Sequence, residues 1–182
     1  MKTQHLLFLL FFASLSLNLK CKKENNEPQL PPETQTGAFT FGCKINGKIY
    51  TASGKEGFLS NESVYYALRA SDSAIFIKIR NSAQKFCLDI TIKYNGNLGV
   101  YNISSWPYNG TFQDNSNGTI PGSDNLFETS SNFTGKVNIK FFNGGVNPIN
   151  TGTILSGAFE MDAANANGQQ IKVTEGRFDI GQ

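Results

Sequence analysis

Gly37-Ala38-Phe39-Thr40-Phe41-Gly42-Cys43-Lys44-Ile45-Asn46-Gly47-Lys48 sets the grammar of the whole chain. Phe39, Phe41, Cys43 and Ile45 share one parity, and Thr40, Gly42 and Lys44 take the other, as in a strand with one buried and one wet face. Asn46-Gly47 follows, a pair that tolerates positive φ and suits the type I′ turn of a hairpin. Asn-Gly recurs at 95-96, 109-110, 117-118, 143-144 and 167-168. Between these punctuation marks run Val64-Tyr66-Leu68-Ala70, Ile75-Ile77-Ile79, Phe86-Leu88-Ile90-Ile92-Tyr94, Val137-Ile139-Phe141, Leu155-Gly157-Phe159-Met161 and Thr174-Gly176-Phe178-Ile180, all at period two. No stretch beyond the N-terminal segment holds a helical period. Residues 37–182 therefore read as one antiparallel all-β domain of nine or ten strands joined by tight Asn-Gly turns. Periodicity leaves a β-sandwich and a flattened barrel equally open.

One segment breaks the pattern. From Ser104 to Asn125 the chain is rich in Asn, Gly, Ser and Asp, with Trp106-Pro107-Tyr108 and then Phe112. Loops of this length are uncommon and often functional. Trp106, Tyr108, Phe112 and Asp114 are candidates for a ligand patch, in which aromatic faces stack on sugar rings and polar groups bond hydroxyls. The plainer alternative has Trp106 plugging one end of the β core and the Asn-Gly pairs closing a small extra hairpin. A calcium reading of Asp114, Asn115, Asn117 and Asp124 lacks the spaced acids of a known loop, and no metal site is expected.

Upstream of the domain, Lys2 precedes Leu6 to Leu19, a 14-residue run of Leu, Phe, Ala and Ser relieved only by Asn18. A run of that length is too short to span a bilayer but suits an export signal. Cys21 follows it directly and opens Cys21-Lys22-Lys23-Glu24. This start resembles a bacterial lipoprotein, which implies that residues 1–20 are removed and that Cys21 is lipidated. Asn18 and Lys20 depart from the aliphatic and small residues usual at those places, and ordinary cleavage after Ser16 is the alternative. Residues 22–36 hold Pro28, Pro31 and Pro32 and a single aliphatic residue, Leu30. They read as an extended linker, which at about 3.1 Å per residue reaches roughly 45 Å.

The hairpin quoted above, together with Thr134-Gly135-Lys136-Val137, Leu155-Ser156-Gly157-Ala158-Phe159-Glu160 and Thr174-Glu175-Gly176-Arg177-Phe178-Asp179-Ile180, resembles an uncharacterised family of small Bacteroidota-type lipoproteins. The resemblance implies an exported, lipid-anchored β domain, expected at the outer membrane; the Cys21-Lys22-Lys23-Glu24 start also resembles surface-export tags of such lipoproteins, which leaves exposure at the cell surface open. It brings no activity and no site residues with it. Asp72-Ser73-Ala74 matches the short motif on which such bacteria attach O-glycans, which makes Ser73 a candidate site; a tight turn accounts for it equally well.

Catalytic arrangements fail mostly by subtraction. The one histidine, His5, lies in the export signal, so His-dependent triads and zinc sites are excluded from the mature chain. If Cys21 is lipidated, Cys43 and Cys87 form an exported pair that invites a disulfide. Parity opposes it: Cys43 goes with Phe41 and Ile45, whereas Cys87 goes with Asp89, Thr91 and Lys93. Glu160 and Asp162 share one strand face roughly 6.5 to 7 Å apart, a spacing that overlaps that of inverting glycosidases. The commoner meaning of such a pair is the wet side of a strand, and Glu175 and Asp179 around Arg177 read the same way. No cofactor and no catalytic residue is expected.

The full chain of 182 residues has 16 basic and 14 acidic side chains. Without Lys2 and Lys20 the two are equal, so the electrostatic basis for a nucleic-acid partner disappears. The expectation is a non-enzymatic binding or structural module, held to the membrane by its lipid and facing a glycan or an envelope protein. The rivals are a carbohydrate-binding accessory lipoprotein for glycan uptake and a glycoside hydrolase-like enzyme built on the carboxylate pair.

Overall fold

A computed structural model describes residues 28–55, 61–69, 71–115, 125–144 and 152–181. The expected export signal, Cys21 and residues 22–27 lie outside the described residues. Eleven strands follow one another: β1 (Thr40–Ile45), β2 (Lys48–Ser53), β3 (Glu62–Arg69), β4 (Ala74–Asn81), β5 (Phe86–Lys93), β6 (Gly99–Ile103), β7 (Gly110–Asp114), β8 (Leu126–Glu128), β9 (Gly135–Phe142), β10 (Ile154–Ala164) and β11 (Gln170–Gly181). All pairings are antiparallel, in the order β2-β1-β11-β10-β8-β7-β5-β4-β3, with β9 and then β6 branching from β10. The long β10 serves two neighbours: residues 155–161 face β9, and Ala164 faces Glu128 of β8. Among the described residues no helix is long and apolar enough to cross a membrane.

The sheet curls until its ends meet, so the architecture is a nearly closed barrel. Val64 N–H donates to Gly54 O at 3.0 Å where β3 begins beside the end of β2. Side chains finish the seam. Gln84 Oε1 accepts from Thr51 N–H at 2.8 Å, Gln84 Nε2 donates to Ile49 O at 3.3 Å, and Asn81 Nδ2 donates to Thr51 O at 2.7 Å. Two amides thus satisfy the backbone of β2 where a further strand would otherwise be needed.

The interior follows the alternation read from the sequence. Phe41, Cys43, Ile45, Val64, Tyr66, Ile75, Ile77, Ile79, Leu88, Ile90, Val137, Ile139, Leu155, Phe159 and Met161 all point inward. Their centre is aromatic: Phe41 stacks on Phe159 at 5.7 Å, and Tyr50 meets Phe86 edge-on at 5.2 Å. Cys43 and Cys87 are both free, one buried and one half-buried, as their opposite parities require. In β11 the parity shifts. Glu175 has φ +52°, and the register with β10 slips between Phe159 and Met161, so a bulge turns Val173 inward in place of Thr174.

The turns are more varied than the repeated Asn-Gly pairs imply. Asn46-Gly47, with φ +49° and +84°, closes the β1–β2 hairpin as expected. Asn167-Gly168 lies in the longer 165–169 connection, where Asn165 Oδ1 accepts from Asn167 N–H and Gln169 N–H. Asn95-Gly96 and Asn143-Gly144 sit in loops, and Gly110 opens β7. Asn117-Gly118 falls outside the described residues.

The described part of the expected linker, residues 28–36, is not a free tether. It lies as a strap on the outer face of β1 and β11 and runs antiparallel to β1. Asp179 holds it: Oδ2 accepts from Thr34 Oγ1 at 2.6 Å, Thr36 N–H at 3.0 Å, Thr36 Oγ1 at 3.2 Å and Ala38 N–H at 3.3 Å, and Oδ1 accepts from Gly37 N–H at 2.8 Å. Farther back, Arg177 Nη1 donates to Pro31 O at 3.2 Å, and Lys140 pairs with Glu33. Pro31 lies so close over Gly42 that a Cβ there would overlap the proline ring. Proline content favours an extended segment in either setting; these bonds decide that the segment is docked.

Candidate functional site

The segment from Tyr94 to Asn109 surrounds β6 and carries the exposed apolar groups of the barrel. Leu98 is 56% exposed, Val100 62% and Trp106 83%; they are the large hydrophobic side chains left open among the described residues. The loop bearing Trp106 is closed on itself, since Ser104 N–H donates to Tyr108 O at 3.0 Å and Tyr108 N–H to Ser105 O at 3.1 Å. The Trp106–Pro107 peptide is cis. Tyr108 is half-buried, with Lys93 Nζ 6.0 Å from its ring centre. The neighbouring 94–98 loop is held as well. Tyr101 Oη lies 2.6 Å from Asn95 Oδ1 and also bonds Asn97 O, while the Tyr94 ring packs 5.8 Å from Tyr101 and 5.3 Å from Phe142. Burial, and then the Tyr101 hydroxyl, push the Tyr94 phenol above its ordinary pKa.

The four residues expected to form one patch separate. Trp106 and Tyr108 share the closed loop. Phe112 is a core residue, 2% exposed and wedged against Tyr50 at 5.5 Å and Phe127 at 6.3 Å. Asp114 stands at the far end of β7, four residues beyond Gly110 and therefore about 13 Å away along the strand. The cause is a short hairpin within the segment, of the kind the plainer alternative supposes: β7 pairs with β8, and Gly110 and Phe112 turn inward while Thr111 and Gln113 face out. Trp106 likewise does not plug the core. It stands in solvent, and Phe112 fills the barrel instead.

Other candidates are placed as follows. Ser73 is exposed, with φ +55°, in the β3–β4 turn beside Asp72, whose carboxylate bonds Arg69 Nε at 2.6 Å. That bond holds the Asp72 carboxyl below its usual pKa. Glu160 and Asp162 lie on the outer face of β10, opposite Lys136 of β9 and Lys172 of β11 respectively. Glu160 also lines a groove of about 360 Å³ between β6 and the strap, with Val100, Asn138, Glu33 and Arg177. Asn117 and Asp124 of the calcium reading fall outside the described residues. Among the described residues no group of three or more His, Cys, Asp or Glu side chains could hold a metal ion.

Two polar features were not foreseen. Asp179, read from the sequence as a wet-face acid, is 0% exposed, because the strap covers it. Burial raises its pKa, but the bonds from Thr34, Thr36, Gly37 and Ala38 outweigh burial and hold it below the ordinary carboxylate value. Cys87 lies 3.6 Å from Asp89 Oδ1, and its thiol is pushed up to about 11 by burial first and by the Asp89 charge second. Cys43 rises to about 12 through burial. Both shifts favour the protonated thiol near neutral pH.

Compared with models of protein families, with curated proteins and with solved structures, the chain matches none.

Proposed function

We propose that the chain is an exported, lipid-anchored envelope protein, of the kind its opening hairpin and last strand resemble, and that it acts as a non-enzymatic binding module. Its working surface is the stretch from Leu98 to Tyr108. The observation that carries this reading is Trp106. An indole held almost wholly in water by a loop with its own hydrogen bonds forgoes burial worth about 2 to 3 kcal/mol. Such groups are characteristic of contact surfaces. Removal of residues 1–20 and acylation of Cys21 would leave only residues 22–27 between the lipid and the strap. That shortens the free reach to roughly 20 Å and holds the barrel close to the membrane.

A carbohydrate partner is the second reading. Trp106 and Tyr108 present aromatic faces, and Asn109 and Asn102 bring amides suited to hydroxyl groups. Two experiments separate the parts. Radiolabelled palmitate should enter the wild type and fail to enter Cys21→Ala; label persisting in the variant removes the anchor. Trp106 is the single tryptophan of the chain, so its fluorescence titrated with a panel of polysaccharides reports directly on the surface. Absence of any shift, together with no retention in affinity gels, removes the glycan reading.

A further inference from the structure

The grooves on the outside of the barrel differ in charge. Those bordered by β9, β10 and β11 hold acids and bases together, with Glu33, Glu160 and Glu175 beside Lys136 and Arg177 in one, and Glu160 and Asp162 beside Lys136 and Lys172 in another. A groove of about 390 Å³ where β4 ends, β5 begins and β7 ends does not. Its walls carry Arg80, Ser82, Lys85, Cys87, Gln113 and Asn115, and no carboxylate. Among the described residues neither Arg80 nor Lys85 has a carboxylate within ion-pair reach. The acids nearby are engaged or turned away. Asp89 pairs with Lys78 at 3.9 Å, Glu62 Oε2 accepts from Ser53 N–H at 2.8 Å, and Asp114 has the parity of Phe112, opposite to that of Gln113.

The register builds this groove. Arg80 lies opposite Cys87, and Cys87 opposite Gln113, so the three stand side by side on the outer face of β4, β5 and β7 and span about 10 Å. Asn115 N–H donates to Lys85 O at 2.7 Å, which brings the β4–β5 turn against the end of β7. The side-chain oxygen of Asn115 is buried there and accepts no hydrogen bond. Buried acceptors are almost always satisfied, so an orphan in the wall of a positively charged hollow points to a donor that a ligand brings. Phe86, the large apolar side chain at the groove, is 3% exposed and offers it little surface.

We propose that this groove binds an acidic sugar, with the carboxylate held by Arg80 and Lys85 and the ring hydroxyls by Ser82, Gln113 and Asn115. Three features select that chemistry. Two cations without partners call for an anion, and the guanidinium fork matches a carboxylate. The orphan oxygen of Asn115 needs a donor, which a hydroxyl supplies and a bare carboxylate does not. Polar walls give an acyl chain or an apolar peptide nothing to bury against, and the volume falls in the range of small-molecule sites. The same two cations repel the metal ion that the calcium reading would place on Asn115. The site is separate from the surface around Trp106. Thr91 N–H bonds Asn109 O beside that loop, and Cys87 lies four residues back along β5, about 13 Å away.

Amide resonances of residues 21–182 carrying Cys21→Ser, titrated separately with glucuronate, acetate and glucose, test the assignment. Glucuronate should shift the amides of Arg80, Lys85, Cys87, Gln113 and Asn115 together. It should bind about tenfold or more tighter than acetate, which lacks the hydroxyls, and than glucose, which lacks the charge. Arg80→Gln and Lys85→Gln, both at exposed positions, should each raise the glucuronate dissociation constant about fivefold or more with melting midpoints unchanged. Added salt should weaken the wild type in the same direction. Asn115→Ala should weaken glucuronate and leave acetate as it was, a split that a merely structural role would not produce. Lys172→Gln, on β11, should change nothing. No shift with glucuronate, equal binding of acetate, or affinity indifferent to both cation variants overturns the site. Shifts confined to residues 98–108 overturn it as well and assign the sugar to the Trp106 surface.

Discussion

Asp179 shows how far one side chain can set the boundary of a domain. Its five accepted bonds make the strap part of the fold, and Asp179→Asn, which turns one acceptor into a donor facing donors, should cost about 2 to 4 kcal/mol at neutral pH. The sign with pH follows from the direction of the shift. A carboxyl held below its unfolded value stabilises fully above that value, about 3.9 for Asp, and loses its contribution as pH falls through the folded-state pKa. Thermal midpoints of the two proteins should thus differ most near pH 7 and converge below about pH 4; a constant gap would show that the charge plays no part. The sequence put Asp179 with Glu175 on a wet face. The parity was right, but a segment arriving from more than a hundred residues away covers that face, and alternation within one strand carries no trace of it. Phe112 was misplaced for a nearer reason: its only inward companion in β7 is Gly110, and two positions make a weak pattern.

At the level of elements, strands with three or more alternating apolar positions were legible, and the short ones were not. β4, β5, β9 and β10 appear where the alternation of Ile75, Phe86, Val137 and Leu155 places them. β8, a three-residue strand, gave no signal. The bulge at Glu175 reverses parity halfway along β11, so Thr174 was assigned the place that Val173 takes. The seam beside β2 was beyond sequence reading altogether, because it is built from amide side chains at the end of β4 and in the turn after it. Asn81 is buried and bonds Thr51 O while accepting from Gln84 N–H at 2.8 Å. Asn81→Ala should therefore cost about 2 to 3 kcal/mol and raise the hydrogen exchange of Thr51 and Gln84 first, whereas uniform loss of protection across the barrel would argue against a local seam.

For the whole molecule, the core and the surface make separate demands. The aromatic centre of Phe41, Tyr50, Phe86 and Phe159 fills the barrel, and Phe41→Ala should lower stability by about 3 to 5 kcal/mol in denaturant titrations; a loss below 1 kcal/mol would mean a looser interior. With that volume occupied, the proposed recognition falls to the outside, where Leu98, Val100 and Trp106 meet water at and beside β6. The account stands or falls on Trp106 being held out there while Phe112 sits within. The emission spectrum of the single tryptophan, recorded on residues 21–182 at high dilution, tests it directly. The account predicts the long-wavelength emission of a hydrated indole and nearly complete quenching by iodide. A blue-shifted emission that iodide cannot reach would contradict it.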